Sequence, residues 1–97
     1  MILRLYFARP RPGQAAEYGE ILKRTVAPFV RRQTGCLEVR IGRTFSPEGQ
    51  VGFVVLSLWD SLDHLKEATG GLWPDPIVSA EEAPLLESTS CVHFEEL

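Results

Sequence analysis

The stretch Phe53-Val54-Val55-Leu56-Ser57-Leu58-Trp59-Asp60-Ser61-Leu62-Asp63-His64-Leu65 decides the fold. Its first seven residues are aliphatic or aromatic with one serine among them, which predicts a strand. A strand with one solvated face alternates apolar and polar residues, so this run asks for cover on both faces. Asp60 or Ser61 then supplies an N-cap, Leu62, Leu65 and Ala68 recur at helical spacing, and Gly70-Gly71 stops the helix.

Working outward, Ile2 to Ala8 predicts a first strand, closed by Arg9-Pro10-Arg11-Pro12-Gly13. From Gln14 to about Gln33, Tyr18, Ile21, Leu22, Val26, Phe29 and Val30 repeat every three or four residues, a helix. Glu17 and Glu20 lie early in it and Arg31 and Arg32 late, as the helix dipole favours. Pro28 predicts a kink or local break, and Gly35 the end of the segment. Leu37, Val39 and Ile41 alternate with Glu38 and Arg40 as a half-buried strand, and Ser46-Pro47-Glu48-Gly49 turns it into the decisive one. On the C-terminal side the spacing predicts a loop at Leu72-Trp73-Pro74-Asp75-Pro76, a short helix around Ala80 to Leu86 and a last strand from about Thr89 to Glu95.

The resulting order, β-α-β-β-α-β, is α+β and ferredoxin-like: one domain over residues 1–97 with an antiparallel sheet whose first and third strands are central. Two helices cover only one face. The economical cover for the other is a second copy, closing a homodimeric α+β barrel. Ninety-seven residues bury only about 60 to 65% of their unfolded surface, which adds to the need.

Ten basic and thirteen acidic side chains give a net charge of −3, without the attraction that phosphate backbones or anionic lipids require. Nucleic acid and membrane partners are therefore not expected. Cys36 and Cys91 form no paired motif, and no metal-ligand spacing, dinucleotide fingerprint or phosphate loop is present. Met1 to Phe7 is too short, and too soon interrupted by Arg4, for a signal or a span. The expectation is a cytoplasmic protein.

Three signatures in order, Arg11-Pro12-Gly13-Gln14, Thr34-Gly35-Cys36-Leu37 and Leu58-Trp59-Asp60-Ser61-Leu62-Asp63-His64-Leu65, resemble the antibiotic biosynthesis monooxygenase family, in particular its quinol monooxygenase branch. The resemblance runs from about Met1 to Ala68. It implies a dimer that oxygenates a small aromatic, phenolic or quinol-type molecule with no metal, flavin or haem. It also implies a pocket between helices and sheet, faced by Trp59 with Val55 and Ser57 beside it. Relatives of the same fold that bind small ligands without oxygenating them, as stress-response proteins or isomerases, keep a second reading open. The chain departs from the antibiotic-tailoring members, whose asparagine and tyrosine fall on Val55 and Leu65. It departs from the haem-degrading ones at Tyr6 and around Trp73.

Strand parity separates Leu3, Leu5, Phe7, Val54, Leu56, Leu58, Val92 and Phe94 from Arg4, Tyr6, Ser57, Trp59, Cys91 and His93. If the second set shares one face, that face can host chemistry. Candidate catalytic residues are His64 and His93, because imidazole can act as a base near neutral pH. Candidate substrate-binding residues are Trp59, Tyr6, Arg4, Val55, Ser57 and Trp73. Each has a plainer alternative: Trp59 filling the core, His64 solvated on the flank of the Leu62/Leu65 stripe, His93 hydrogen-bonded within the barrel, Trp73 plugging a small core rather than covering a cleft.

Overall fold

The computed structural model describes residues 1–49 and 51–97. Four strands, β1 (Ile2–Pro10), β2 (Cys36–Thr44), β3 (Gly52–Trp59) and β4 (Leu86–Glu95), form one antiparallel sheet in the order β2-β3-β1-β4. The two most apolar strands of the sequence are its centre, as expected. A helical arm follows β1: α1 (Ala15–Ile21), a π-helical turn (Leu22–Val26) and α2 (Ala27–Arg31) run on without a gap. The second helix, α3 (Leu62–Ala68), follows β3, and a 3-10 turn (Ala83–Leu85) leads into β4. No helix among the described residues is long and apolar enough to cross a membrane.

The expected kink at Pro28 takes a milder form. In a regular helix its ring would strike the carbonyl of Arg24, and no N–H would be left to bond there. The π turn just ahead absorbs this: the Ala27 N–H bonds to the Leu22 carbonyl, five residues back, and Pro28 falls in the first turn of α2. The arm continues to Arg31. Two other expectations are corrected. Leu37, placed on the buried parity of β2, lies in a register shift between Cys36 and Glu38 and is 52% exposed. The short helix near residue 80 is only the 3-10 turn, and β4 starts earlier, at Leu86.

Register assigns the faces. Arg4 stands opposite Ser57 and His93, and Tyr6 opposite Val55 and Cys91, so the mixed parity occupies one face. The helices cover it: Tyr18, Leu22 and Leu65 are fully buried, and Tyr18 meets Phe53 edge-on at 5.5 Å. The opposite face carries Leu3, Leu5, Val54, Leu56 and Leu58, half-buried, with Phe7, Val92 and Phe94 exposed. No helix among the described residues covers it.

Ser61 is the cap of α3, its hydroxyl accepting from the His64 N–H. The helix is held against the end of the arm at Gly35, which has φ +86 and whose carbonyl accepts from the Asp60 N–H. A methyl group at Gly35 would lie 2.4 Å from His64 Cβ. We expect Gly35→Ala to lower stability by about 1–3 kcal/mol through backbone strain and this clash. An unchanged thermal midpoint would refute the assignment.

Candidate active-site cavity

Between the helical arm and the mixed face lies a cavity of about 530 Å³, the size of a small-molecule site. The sheet contributes Arg4, Tyr6, Val55, Ser57 and Trp59 to its wall, the arm contributes Val26, Phe29 and Val30, and α3 contributes Leu65. A third wall comes from the long connection after α3, through Ile77, Ser79 and Glu82. The lining is predominantly apolar, with a few polar groups at fixed points.

Trp59 ends β3 on the buried parity and is 2% exposed. Its indole N–H donates to the Ser57 hydroxyl at 2.9 Å, an i,i+2 contact that the strand pleat makes possible. That bond satisfies the indole and fixes its plane. Tyr6, one strand over, is buried, yet its hydroxyl has no hydrogen-bond partner. Burial pushes its phenol up, an effect the nearby Tyr18 hydroxyl and Arg4 partly offset. It is a neutral donor at neutral pH.

Arg4 is a charge carried inside. Only 8% exposed, it has no carboxylate partner among the described residues. Instead Nη1 donates to the Trp73 carbonyl at 2.5 Å, Nη2 donates to the Asp75 carbonyl at 3.0 Å, and Nη1 lies 2.7 Å from His93 Nε2. Because a guanidinium can only donate, His93 Nε2 must accept, which leaves that ring neutral with its proton on Nδ1. Burial, and then the Arg4 charge, push the His93 imidazole below its ordinary range. The Trp73 ring packs edge-on against His93 at 5.0 Å, and the Cys91 thiol donates to the Pro74 carbonyl at 3.4 Å. The loop at residues 73–75 is thus strapped to β1 and β4.

Of the sequence candidates, Arg4, Tyr6, Val55, Ser57 and Trp59 come together in the cavity wall. Trp73 and His93 stand behind Arg4 as its partners and do not line the cavity. His64 lies apart from both groups. Its ring packs over Gly35, and Nδ1 sits 2.6 Å from Asp60 Oδ1 at the surface. The Asp60 carboxylate raises the His64 imidazole, and the hydrogen bond from His64 lowers Asp60.

Sequence reading missed Glu82. It is 4% exposed, lines the cavity and accepts the Tyr18 hydroxyl at 3.0 Å. Its other oxygen accepts the Ser79 N–H while the Ser79 hydroxyl accepts the Glu82 N–H, a reciprocal capping box. Ser79-x-x-Glu82 carries that signature in the sequence and was the available signal.

A four-stranded antiparallel sheet with helices and a cavity on one face and an apolar second face defines a small ferredoxin-like α+β fold. The chain belongs to the antibiotic biosynthesis monooxygenase family, whose sequence profile matches residues 1–71. No curated protein matches it in sequence. Among solved structures it is similar to PA3566 from Pseudomonas aeruginosa, at 19% identity and TM-score 0.74 over 99% of this chain and 93% of that one. It is similar to a mutant of SnoaB, a cofactor-independent oxygenase from Streptomyces nogalater, at 17% identity and TM-score 0.68 over 98% and 91%. It is also similar to a mutant of MhuD with two manganese protoporphyrin IX bound per active site, at 16% identity and TM-score 0.74 over 100% and 95%. These likenesses establish the fold.

The two histidines give opposite expectations. In an NMR titration the His64 ring proton should titrate above the ordinary value of 6.5 and that of His93 below it. The signs for stability follow. His93 withdraws support as pH falls from 6.5 toward its folded value, because the unfolded chain takes the proton first. His64 gives support that is complete below 6.5 and is lost as pH rises through its raised value. Inverted titration order would contradict both environments.

Proposed function

We propose that the cavity binds a small aromatic, phenolic or quinol-type molecule and that the protein oxygenates it without a bound cofactor. The observation that carries the reading is the cavity itself: a mostly apolar space with an oriented indole on one wall and isolated polar groups at fixed points. Its size suits a compound of two or three rings, and indole and phenyl faces attract flat ones. Family membership and the likeness to a cofactor-independent oxygenase favour the chemistry.

The reaction balances without an external reductant. A phenol loses its proton, the electron-rich ring carbon opposite the oxygen adds to dioxygen and reduces it to a peroxide, and the peroxide takes up the proton to give a ring hydroperoxide. Loss of water, taking the ring hydrogen at that carbon and the terminal oxygen, leaves a quinone: phenol plus dioxygen gives quinone plus water. The protein's part is to exclude water, hold the ring and place donors where negative charge develops. Trp59, Val55 and the arm supply the apolar walls, and Tyr6 a donor. The Arg4 charge, already bonded to main-chain carbonyls, favours an anionic ring from one end. His93, whose Nε2 is occupied by Arg4, and His64, outside the wall, act in this reading as supports for the loop and for α3.

The bare sheet face supports a further element, a homodimer formed by that face. Phe7, Val92 and Phe94 stand exposed among half-buried leucines, and monomers rarely leave so continuous an apolar surface open. We assign the protein to the cytoplasm, where Cys36 and Cys91, both free, stay reduced. Light scattering at micromolar concentration should give twice the chain mass; a monomer mass would remove the dimer.

Oxygen uptake with quinols, naphthols and anthrones tests the reaction. Trp59→Phe should weaken binding several-fold while the fold persists, whereas Trp59→Ala would cost about 3–5 kcal/mol of stability as well. His64→Ala should leave binding within about twofold. If His64→Ala abolishes uptake and Trp59→Phe changes nothing, the ranking is wrong and the histidine is the base. No uptake with any member of the panel, in protein shown to bind them, would leave a small-ligand-binding protein.

A further inference from the structure

Two polar side chains of the cavity wall, Tyr6 and Glu82, are unexplained by packing. Tyr6 is 7% exposed, and its buried hydroxyl has no hydrogen-bond partner. A buried donor left without a partner costs stability, and phenylalanine would fill the same volume without that cost. Glu82 is buried too, although a capping box needs only a surface carboxylate. It accepts two hydrogen bonds, one at each oxygen, from the Tyr18 hydroxyl and the Ser79 N–H. Each of its oxygens keeps a free lone pair. Both residues line the same cavity, and Tyr18 stands between them, its hydroxyl donating to Glu82 and lying near the Tyr6 hydroxyl without forming a hydrogen bond of good geometry with it. A spare donor and an acceptor therefore line one cavity beside the same buried tyrosine.

We propose that Tyr6 and Glu82 form a hydroxyl-reading end of the cavity, in which a bound aromatic hydroxyl donates to the Glu82 carboxylate while its oxygen accepts from Tyr6 Oη. This rests on the cavity binding aromatic molecules, but not on any reaction. A hydroxyl is the smallest group that satisfies both partners at once. An ether oxygen satisfies Tyr6 alone and leaves the carboxylate facing a methyl group. Burial keeps the Tyr6 phenol protonated, so it remains a donor at neutral pH. Glu82 is by this account a specificity residue, reading the hydrogen that distinguishes a phenol from its ether.

The test compares 2-naphthol with 2-methoxynaphthalene at pH 7, with binding read by quenching of tryptophan fluorescence and by calorimetry. Wild-type protein should prefer the naphthol by about tenfold or more, the usual consequence of leaving a buried charged acceptor unmatched. Glu82→Gln should reduce that preference to less than about threefold. Tyr6→Phe should weaken both probes by a similar factor and leave their ratio unchanged, because both offer it an oxygen. A merely structural role for either residue would not move the ratio in this pattern. Should Glu82→Gln fail to fold, the wild-type ratio and Tyr6→Phe decide the matter. Equal binding of the two probes to wild-type protein overturns the hydroxyl reading and leaves the aromatic cavity standing. If neither probe binds, both fall.

Discussion

A guanidinium buried beneath the sheet needs acceptors, and the way Arg4 finds them shapes the cavity. The strands around it offer Ser57 and His93 as direct neighbours, and of these only His93 bonds to it. The other acceptors are the main-chain carbonyls of Trp73 and Asp75, which the connection after α3 must bring to the sheet. Desolvation, the largest influence on Arg4, lowers its pKa, yet a guanidinium stays protonated, so the charge must be met by dipoles. The loop that meets it continues directly through Ile77 and Ser79 to Glu82, and these residues complete the third wall. A long connection with two prolines and two glycines, otherwise free to vary, is thereby fixed as part of the site.

The fold was legible in the sequence because it rests on periodicities. Phe53 to Trp59 asked for two covers, the order of elements supplied one, and Arg4/Tyr6 against Leu3/Leu5 divided β1 into two chemistries. Register then did what parity could not, by setting Arg4 opposite both Ser57 and His93. The failures are all places where the backbone leaves its period. The shift at Leu37 turns an expected inward residue outward, and the π turn lets a proline sit in an unbroken arm. Such features arise from tertiary fit, to which a local window is blind.

The site was legible only where strands carry it. Trp59, Tyr6, Ser57, Val55 and Arg4 are fixed by alternation, so their meeting could be foreseen. His64 could not be placed that way. Helix 62–68 is so short that its orientation depends on the Ser61 cap and on close contact with Gly35, and these turn the imidazole toward Asp60. Glu82 lies in a segment with no periodicity at all. It is fixed by a capping box and by Tyr18, 64 positions away in sequence.

Stability and function make opposite demands on the two faces. The apolar parity of β1 and β3, from Leu3, Leu5 and Phe7 to Val54, Leu56 and Leu58, gains by being covered. The mixed parity carries a charge without a counter-ion and a phenol without a partner, both of which cost folding free energy. A 97-residue chain has little stability to spare for such groups. Because successive residues of one strand serve the two faces alternately, cover gained on the apolar side rigidifies the backbone from which Arg4, Tyr6 and Trp59 project. Assembly through that face would therefore hold the cavity in shape without contributing any residue to it, and the site's uncompensated polar groups become tolerable in so small a domain.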